Sequence, residues 1–182
     1  MIEAVHIVGF KRFTDQRFRL APFTLLAGLN GAGKTSLLHA LLVIREASQT
    51  SGEAIRLNGP FGLELGSAED VRNWDCAGDI ALTLTEDGID YEWVFAVPHG
   101  GSLHLRRSRT PDALPTAMRA EPRSMSYLCA ERLGPRSVLG SSAWSAETVE
   151  VGVRGEFCAQ ALEALGNRTL AHAERRHPAS GN

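Results

Sequence analysis

One glycine-rich stretch decides the fold, Gly28-Leu29-Asn30-Gly31-Ala32-Gly33-Lys34-Thr35, because it matches the pattern G-x-x-x-x-G-K-[ST] in full. The apolar run Phe23–Ala27 precedes it, and leucines at helical spacing follow it in Ser36–Ala47. We therefore expect a short buried strand, a glycine-rich turn and a helix, in that order. A phosphate-binding loop requires this context.

The residue types of this stretch suit a nucleoside triphosphate bound with Mg²⁺. Glycines let the backbone approach closely, so that successive N–H groups can point at phosphate oxygens, and the following helix adds its positive end. Lys34 is expected to bridge the β- and γ-phosphates and to stabilise transition-state charge, which makes it the catalytic candidate. Thr35 is expected to supply a hydroxyl group to Mg²⁺. The predicted nucleotide-binding residues of the loop are Gly28, Asn30, Gly31, Ala32, Gly33, Lys34, Thr35 and Ser36.

The rest of the first 110 residues predicts an antiparallel sheet. Val5–Phe10 is a first strand, the polar residues 14–17 form a turn, and Phe18–Leu20 begins a second strand. Alternating apolar residues around 80–84, 91–97 and 103–105 predict a three-stranded meander, with Glu86-Asp87-Gly88 as a hairpin turn.

The later part of the chain carries weaker patterns. Met125–Ala130 is predicted to be a buried strand, and Gly155–Leu165 a helix that Gly166 ends. Residues 171–182 are polar and are predicted to be a disordered tail, which leaves residues 1–170 as one lobe.

Composition excludes several classes of protein. A net charge of -2 argues against indiscriminate nucleic-acid binding, although a local basic patch stays open. The 3 cysteines are far apart and lack a CxxC pair, which argues against a disulfide framework or zinc site and favours a reducing cytosol. The N-terminus lacks a secretory signature, and the apolar run Leu37–Ile44 is too short to span a bilayer, so no membrane association is expected.

The sequences of the loop and of the first strand resemble those of a known group of ATPases. Asn30–Thr35, after the run Phe23–Ala27, resembles the Walker A segment of ABC-type ATPases in the SMC, RecF and OLD group. Gly9-Phe10-Lys11-Arg12-Phe13 looks like the SMC-type segment GFKSF, in which basic residues lie near the nucleotide. The resemblance implies that ATP is the nucleotide and that Lys11 and Arg12 touch the nucleotide or nucleic acid. A solvated strand end is an equally weighted interpretation of these two residues.

Three further stretches resemble predicted bacterial AAA-family ATPases that carry a C-terminal domain of unknown function. They are Leu65–Val71, Tyr127–Arg136 and Val151–Phe157. Relatives of those proteins occur in phage-defence systems. The resemblance implies an α/β fold, the N-terminal lobe of an ABC-type P-loop ATPase with an antiparallel β-subdomain. It also implies a homodimer that sandwiches ATP, or a partner subunit, with nucleic-acid processing or phage defence as the biological output.

Two elements that hydrolysis requires in this group are not found in the sequence. No aspartate follows four apolar residues as a Walker B aspartate does, and there is no LSGG-like signature. Two interpretations stay open. The chain is the N-terminal part of an ATPase that a C-terminal lobe completes, or it is a module that holds ATP without turnover.

Other enzyme classes fit less well. Asp75-Cys76-Ala77-Gly78 matches the D-x-x-G of GTPases, but no N-K-x-D motif accompanies it. A small-molecule P-loop kinase would turn over only with an acceptor, and Arg132 and Arg136 could serve as its basic lid. The antiparallel meander fits a kinase poorly, because a kinase should return to a parallel strand after its first helix.

The remaining polar clusters have structural interpretations that we favour. Leu105–Arg109 is either a DNA-backbone contact or, preferably, a solvated hairpin edge protected by charge. Glu131, Arg132 and Arg136 are expected to form a structural ion pair rather than to reach a nucleotide. His39 lies on the helix after the loop and is expected to pack rather than to ligate.

Overall fold

A six-stranded sheet organises the first part of the chain, and every strand pair in it is antiparallel. The computed structural model describes residues 1–119, 125–134, 136–143 and 150–166. The chain divides into two compact units, Met1–Ala120 and Glu121–Asn182, and the sheet belongs to the first. The strands are β1 (Ile2–Phe10), β2 (Phe13–Arg19), β3 (Ala54–Arg56), β4 (Ile80–Glu86), β5 (Ile89–Ala96) and β6 (His104–Arg109), in the spatial order β2-β1-β4-β5-β6-β3.

The predicted meander is confirmed as β4, β5 and β6. Asp87 and Gly88 form its first turn with positive φ angles of 51° and 74°, the backbone that a tight hairpin requires. Along β5, Trp93 and Phe95 are fully buried, because alternate side chains of a strand point to the same face. This apolar face forms much of the core of the first unit.

The first hairpin is confirmed, but its turn was predicted in the wrong place. Residues 14–17 belong to β2, where Gln16 pairs with Ile7 and Arg17 pairs with His6. The chain reverses instead at Lys11 and Arg12, and Lys11 has a φ of 49°. Because β2 is an edge strand, its polar side chains can face solvent while its backbone pairs with β1.

The predicted helix after the glycine-rich stretch is confirmed as α1 (Lys34–Gln49). It begins two residues before Ser36, the first residue of the predicted helical run, and it ends at Gln49, where the sequence predicts an end near Ser48-Gln49. Its apolar residues Leu42, Val43 and Ile44 are buried, as the helical spacing of the leucines predicted. A second helix, α2 (Ala68–Val71), has a single turn and begins at a capping box formed by Ser67 and Asp70.

The predicted buried strand before the glycine-rich stretch is wrong, so of the context expected for a phosphate-binding loop the described residues contain only the glycine-rich turn and the helix. Phe23–Ala27 contains no strand residue, and the side chains of Phe23 and Leu25 are 84% and 78% exposed. The run has the apolar composition of a strand, but it pairs with no strand among the described residues. Apolar composition alone does not supply the hydrogen-bond partner that a strand requires.

The second unit contains little regular structure in its described residues. Met125–Ala130, predicted to be a buried strand, is irregular, and Leu128 is 48% exposed. The predicted helix is present as α3 (Cys158–Leu165). It begins three residues later than predicted, because Gly155 has a φ of 79°, which an α-helix does not accommodate. Gly166 follows the last helical residue, as predicted, with right-handed backbone angles.

Taken together, the described residues form a mixed α/β structure built on an antiparallel sheet. The prediction of one lobe over residues 1–170 stays a prediction, and the predicted disordered tail lies outside the described residues. In the described ranges, no helix has the length and apolar character needed to cross a membrane.

Candidate functional site

Three segments of the first unit meet at one open cleft, whose volume is ≈ 710 Å³. They are the glycine-rich stretch, the turn between β1 and β2, and the segment that follows α2. The structure brings together in this cleft all nine residues of the predicted binding set other than Gly28: Lys11, Arg12, Asn30, Gly31, Ala32, Gly33, Lys34, Thr35 and Ser36. The cleft has the size of an ordinary small-molecule site.

The backbone of the loop requires glycine at two positions, one packed against other side chains and one open. Gly31 and Gly33 have φ angles of 79° and 93°, in the left-handed region that side chains disfavour. A Cβ atom on Gly33 would lie 2.6 Å from atoms of Arg12 and Phe13, whereas one on Gly31 would meet nothing within 4 Å. Gly33 therefore lets the hairpin turn pack directly against the start of α1, and Gly31 leaves space open above the loop.

The first turn of α1 presents unpaired backbone donors to the cleft. Gly33 is the N-cap residue, and the first backbone hydrogen bond of the helix runs from the N–H of Leu37 to the carbonyl of Gly33. Within the described part of the chain, the N–H groups of Lys34, Thr35 and Ser36 donate to no backbone or side-chain oxygen. These three residues all line the cleft, and a helix start of this kind carries a partial positive charge.

Lys34 is held over the loop by two carbonyl groups. Its Nζ atom donates to the oxygens of Gly28 and Leu29, each at 2.8 Å. Gly28 thus contributes to the site through its carbonyl rather than as part of the lining. An ammonium group has three protons, so the third remains for a ligand in the cleft.

The hairpin turn brings two more cations to the same cleft. Arg12 donates from Nη1 to the carbonyl of Gly31, which ties the turn to the loop. Lys11 donates from Nζ to Nδ1 of His39 at 3.2 Å. Burial lowers the pKa of Lys11, and the nearby Asp70 carboxylate partly opposes that shift. Lys11 and Arg12 both line the cleft, and their contact with a nucleotide or nucleic acid stays a prediction beside the alternative of a solvated strand end.

His39 accepts this hydrogen bond as a neutral imidazole. Its pKa is lowered from 6.5 to about 4, mainly by burial and to a smaller extent by the positive charge of Lys11. The histidine therefore packs beneath the turn and orients Lys11, and the prediction that it packs rather than ligates stays a prediction as regards a ligand.

Five residues of the cleft were not predicted as site residues: Asp70, Arg72, Asn73, Trp74 and Asp75. Asp70 caps α2, where hydrogen bonds from Ser67 hold the pKa of its carboxyl below the ordinary value. Two sequence signals fell in this region: the resemblance of Leu65–Val71, which includes Asp70, and the D-x-x-G match at Asp75, which lacks the N-K-x-D motif of a GTPase. Neither signal connects Trp74, which stands in a polar segment, with the loop.

The cleft does not contain a ready-made metal cage. No group of three or more histidine, cysteine, aspartate or glutamate side chains that could hold a metal ion occurs among the described residues. Mg²⁺ commonly binds through one or two protein ligands together with phosphate oxygens and water. The Thr35 hydroxyl, with the ligand's own phosphates, is a donor set of that kind.

The other predicted polar clusters are structural in the described residues. β3 pairs with β6 only at His104–Arg106, so the expectation of an unpaired hairpin edge is wrong for Leu105 and Arg106, while Ser108 and Arg109 have no partner in β3. The alternative of a DNA-backbone contact stays a prediction. Arg107 donates to the carbonyls of Ala47 and Thr50 at the end of α1, and Arg109 pairs with Glu92 at 2.8 Å. In the second unit, Glu131 forms its ion pair with Arg154, at 2.6 Å, rather than with Arg132 or Arg136.

Comparison with known proteins adds no assignment. No protein-family model matches this chain, and no curated protein matches it at a significant level. The resemblance to ABC-type ATPases therefore stays a prediction from the sequence.

Proposed function

We propose that this chain binds a nucleoside triphosphate, ATP with Mg²⁺, in the cleft formed by the loop 28–36. One observation carries the proposal: the unpaired N–H groups of Lys34, Thr35 and Ser36, and the Lys34 ammonium, line the same cleft as Lys11 and Arg12. These six groups, three backbone N–H donors and three cationic side chains, suit a polyanion. They suit a neutral metabolite less well, because it would leave the cationic side chains without compensating negative charge.

Each group has a separate part in holding the triphosphate. The backbone N–H groups at the start of α1 donate to phosphate oxygens, and Lys34 donates its third proton to the terminal phosphates. Thr35 supplies a hydroxyl group to Mg²⁺, which neutralises phosphate charge when it is bound. Lys11 and Arg12 compensate the remaining negative charge from the opposite wall of the cleft.

The wider assignment rests on the sequence resemblance. We propose that the chain acts as the N-terminal lobe of an ABC-type P-loop ATPase, with an ATP-sandwich homodimer or a partner subunit completing the site. Nucleic-acid processing or phage defence would then be its output, in a reducing cytosol that suits its free cysteines. The antiparallel sheet beside α1 supports this proposal over a small-molecule kinase, because no strand returns parallel among the described residues.

We propose that this chain alone binds ATP and that hydrolysis needs a further lobe or subunit. The sequence has no aspartate after four apolar residues, so the chain has no Walker B carboxylate to orient an attacking water. Asp70 is engaged by Ser67, which makes it a poor general base. We therefore expect ATP binding without phosphate release by this chain alone.

Calorimetric titration with ATP and Mg²⁺ tests the proposal directly. Lys34→Ala should abolish binding with little loss of stability, because it removes the ammonium group and two exposed hydrogen bonds to loop carbonyls but no core contact. Arg106→Ala is the matched control, since Arg106 is an exposed cation on β6 outside the cleft lining. Unchanged affinity in the Lys34 variant would refute the assignment of the loop, and phosphate release by the wild type would refute the restriction to binding.

Thr35→Ala tests the metal separately. This variant should weaken binding of ATP with Mg²⁺ more than binding of ATP without metal, because the hydroxyl group contacts the ion and not the phosphates. Equal weakening under both conditions would remove Thr35 as a metal ligand.

A further inference from the structure

An exposed tryptophan lies at the wall of the same cleft. Trp74 is 96% exposed, and its side chain lines the cleft together with Lys34 and Arg12. Its position at the cleft, rather than its exposure alone, makes this aromatic surface available to a ligand that the loop holds. The other tryptophan that the structure describes, Trp93, is fully buried in the core.

The backbone that carries Trp74 is fixed on both sides. Asn73 is buried, and its N–H donates to the carbonyl of Gly9 at 2.9 Å while its side-chain amide donates to the carbonyl of Lys11 at 2.7 Å. The carbonyl of Val71 accepts from the N–H of Lys11 at 2.7 Å, and the N–H of Asp75 donates to the Asn73 side chain at 2.9 Å. The exposed indole is therefore presented from a rigid segment, which reduces the entropy lost when a ligand stacks on it.

The phosphate-binding groups leave the other half of a nucleotide without an assigned contact. The loop and α1 account for the triphosphate, and the cleft extends from them to Trp74. A nucleobase has a flat aromatic face and needs a hydrophobic partner at this end of the site. Aromatic side chains stack on bases with little dependence on the hydrogen-bonding edge.

We propose that Trp74 stacks on the nucleobase of the triphosphate held by the loop. This inference rests on the proposed function, because the base is placed by its phosphates. Stacking alone favours the larger ring area of a purine over a pyrimidine. Trp74 therefore contributes affinity for the base, whereas Lys34 contributes affinity for the phosphates.

Two ligands separate the two proposals in one calorimetric experiment on the full chain: ATP with Mg²⁺ and inorganic tripolyphosphate with Mg²⁺. Trp74→Ala should weaken ATP binding about tenfold and leave tripolyphosphate binding unchanged, because only ATP has a base. Trp74→Phe should restore most of the ATP affinity. Lys34→Ala should abolish binding of both ligands, which identifies the phosphate site independently of the base.

The outcomes distinguish every alternative. Equal weakening of both ligands by Trp74→Ala would overturn the stacking and would show that the residue shapes the loop. Unchanged ATP affinity would also overturn it. Failure of the wild type to bind either ligand would overturn the proposed function and the stacking with it, whereas binding of tripolyphosphate with the same affinity as ATP would overturn the stacking alone.

Fluorescence provides a second readout that does not depend on affinity. In a Trp144→Phe background the remaining tryptophans are Trp74 and the buried Trp93, so exposed emission comes from Trp74. ATP should quench this emission and tripolyphosphate should not. Quenching by both ligands would refute direct contact with the base.

Discussion

At the scale of single residues, Gly33 and Gly31 form a matched pair. Both have left-handed backbones, so Gly31→Ala should destabilise the chain by about 1 kcal/mol from backbone strain alone. Gly33→Ala adds a Cβ atom that collides with Arg12 and Phe13, and should destabilise by about 2–3 kcal/mol. It should also weaken ATP binding, because Arg12 must leave the loop. Urea unfolding and calorimetry measure the two effects, and equal destabilisation by both variants would contradict the packing.

His39 gives the chain a second residue-scale property, a pH dependence of stability. Its pKa in the folded chain, about 4, is below its ordinary value of 6.5. The unfolded chain therefore binds more protons between these values, so the free energy of unfolding should fall as pH drops from 6.5 to 4. The loss should be about 1 kcal/mol after allowance for partial exposure. Urea unfolding at several pH values across this range measures the free energy of unfolding, which should change less with pH in His39→Asn than in the wild type. The same pH dependence in both proteins would contradict the lowered pKa of His39.

The residues of the cleft differ in how far the sequence predicted them. The loop residues are consecutive, so their spacing alone placed Gly31, Gly33 and Lys34 together. Asn73 and Trp74 reach the cleft through hydrogen bonds to Gly9 and Lys11, more than 60 positions away along the chain in each case. No local sequence pattern encodes these contacts. The proposed stacking of Trp74 on a nucleobase could therefore be inferred only from the structure.

At the scale of elements, a substitution at Phe23 tests whether the run Phe23–Ala27 is a buried strand, as the sequence predicts, or an exposed segment, as in the structure. Phe23 is 84% exposed, so Phe23→Ser should change the free energy of unfolding by less than about 0.5 kcal/mol. Phe95→Ala, at a fully buried position of β5, is the control and should destabilise by about 3–5 kcal/mol. Urea unfolding compares them. A large effect at Phe23 would restore the buried strand predicted from the sequence.

The elements that the sequence predicted correctly are those with a repeated pattern and a local partner. β4, β5 and β6 each alternate along their length and follow one another through short turns, so pattern and pairing agree. Phe23–Ala27 and Met125–Ala130 have apolar content without such a neighbour. A strand forms where its backbone makes hydrogen bonds to a neighbouring strand, and the apolar composition of a segment does not show whether such a neighbour exists.

At the scale of the whole molecule, the division into two units predicts that the binding site survives alone. Every residue that lines the cleft lies within Met1–Ala120, and so do the hydrogen bonds that hold Lys34, Arg12 and Asn73. A chain shortened to residues 1–120 should therefore fold and bind ATP with Mg²⁺ within about threefold of the full affinity, a difference below 1 kcal/mol. Calorimetry measures the affinity, and Lys34→Ala in the shortened chain should remove it. If the shortened chain keeps its sheet by circular dichroism but loses ATP, residues after 120 complete the site, and the cleft of the first unit is only its phosphate-binding part.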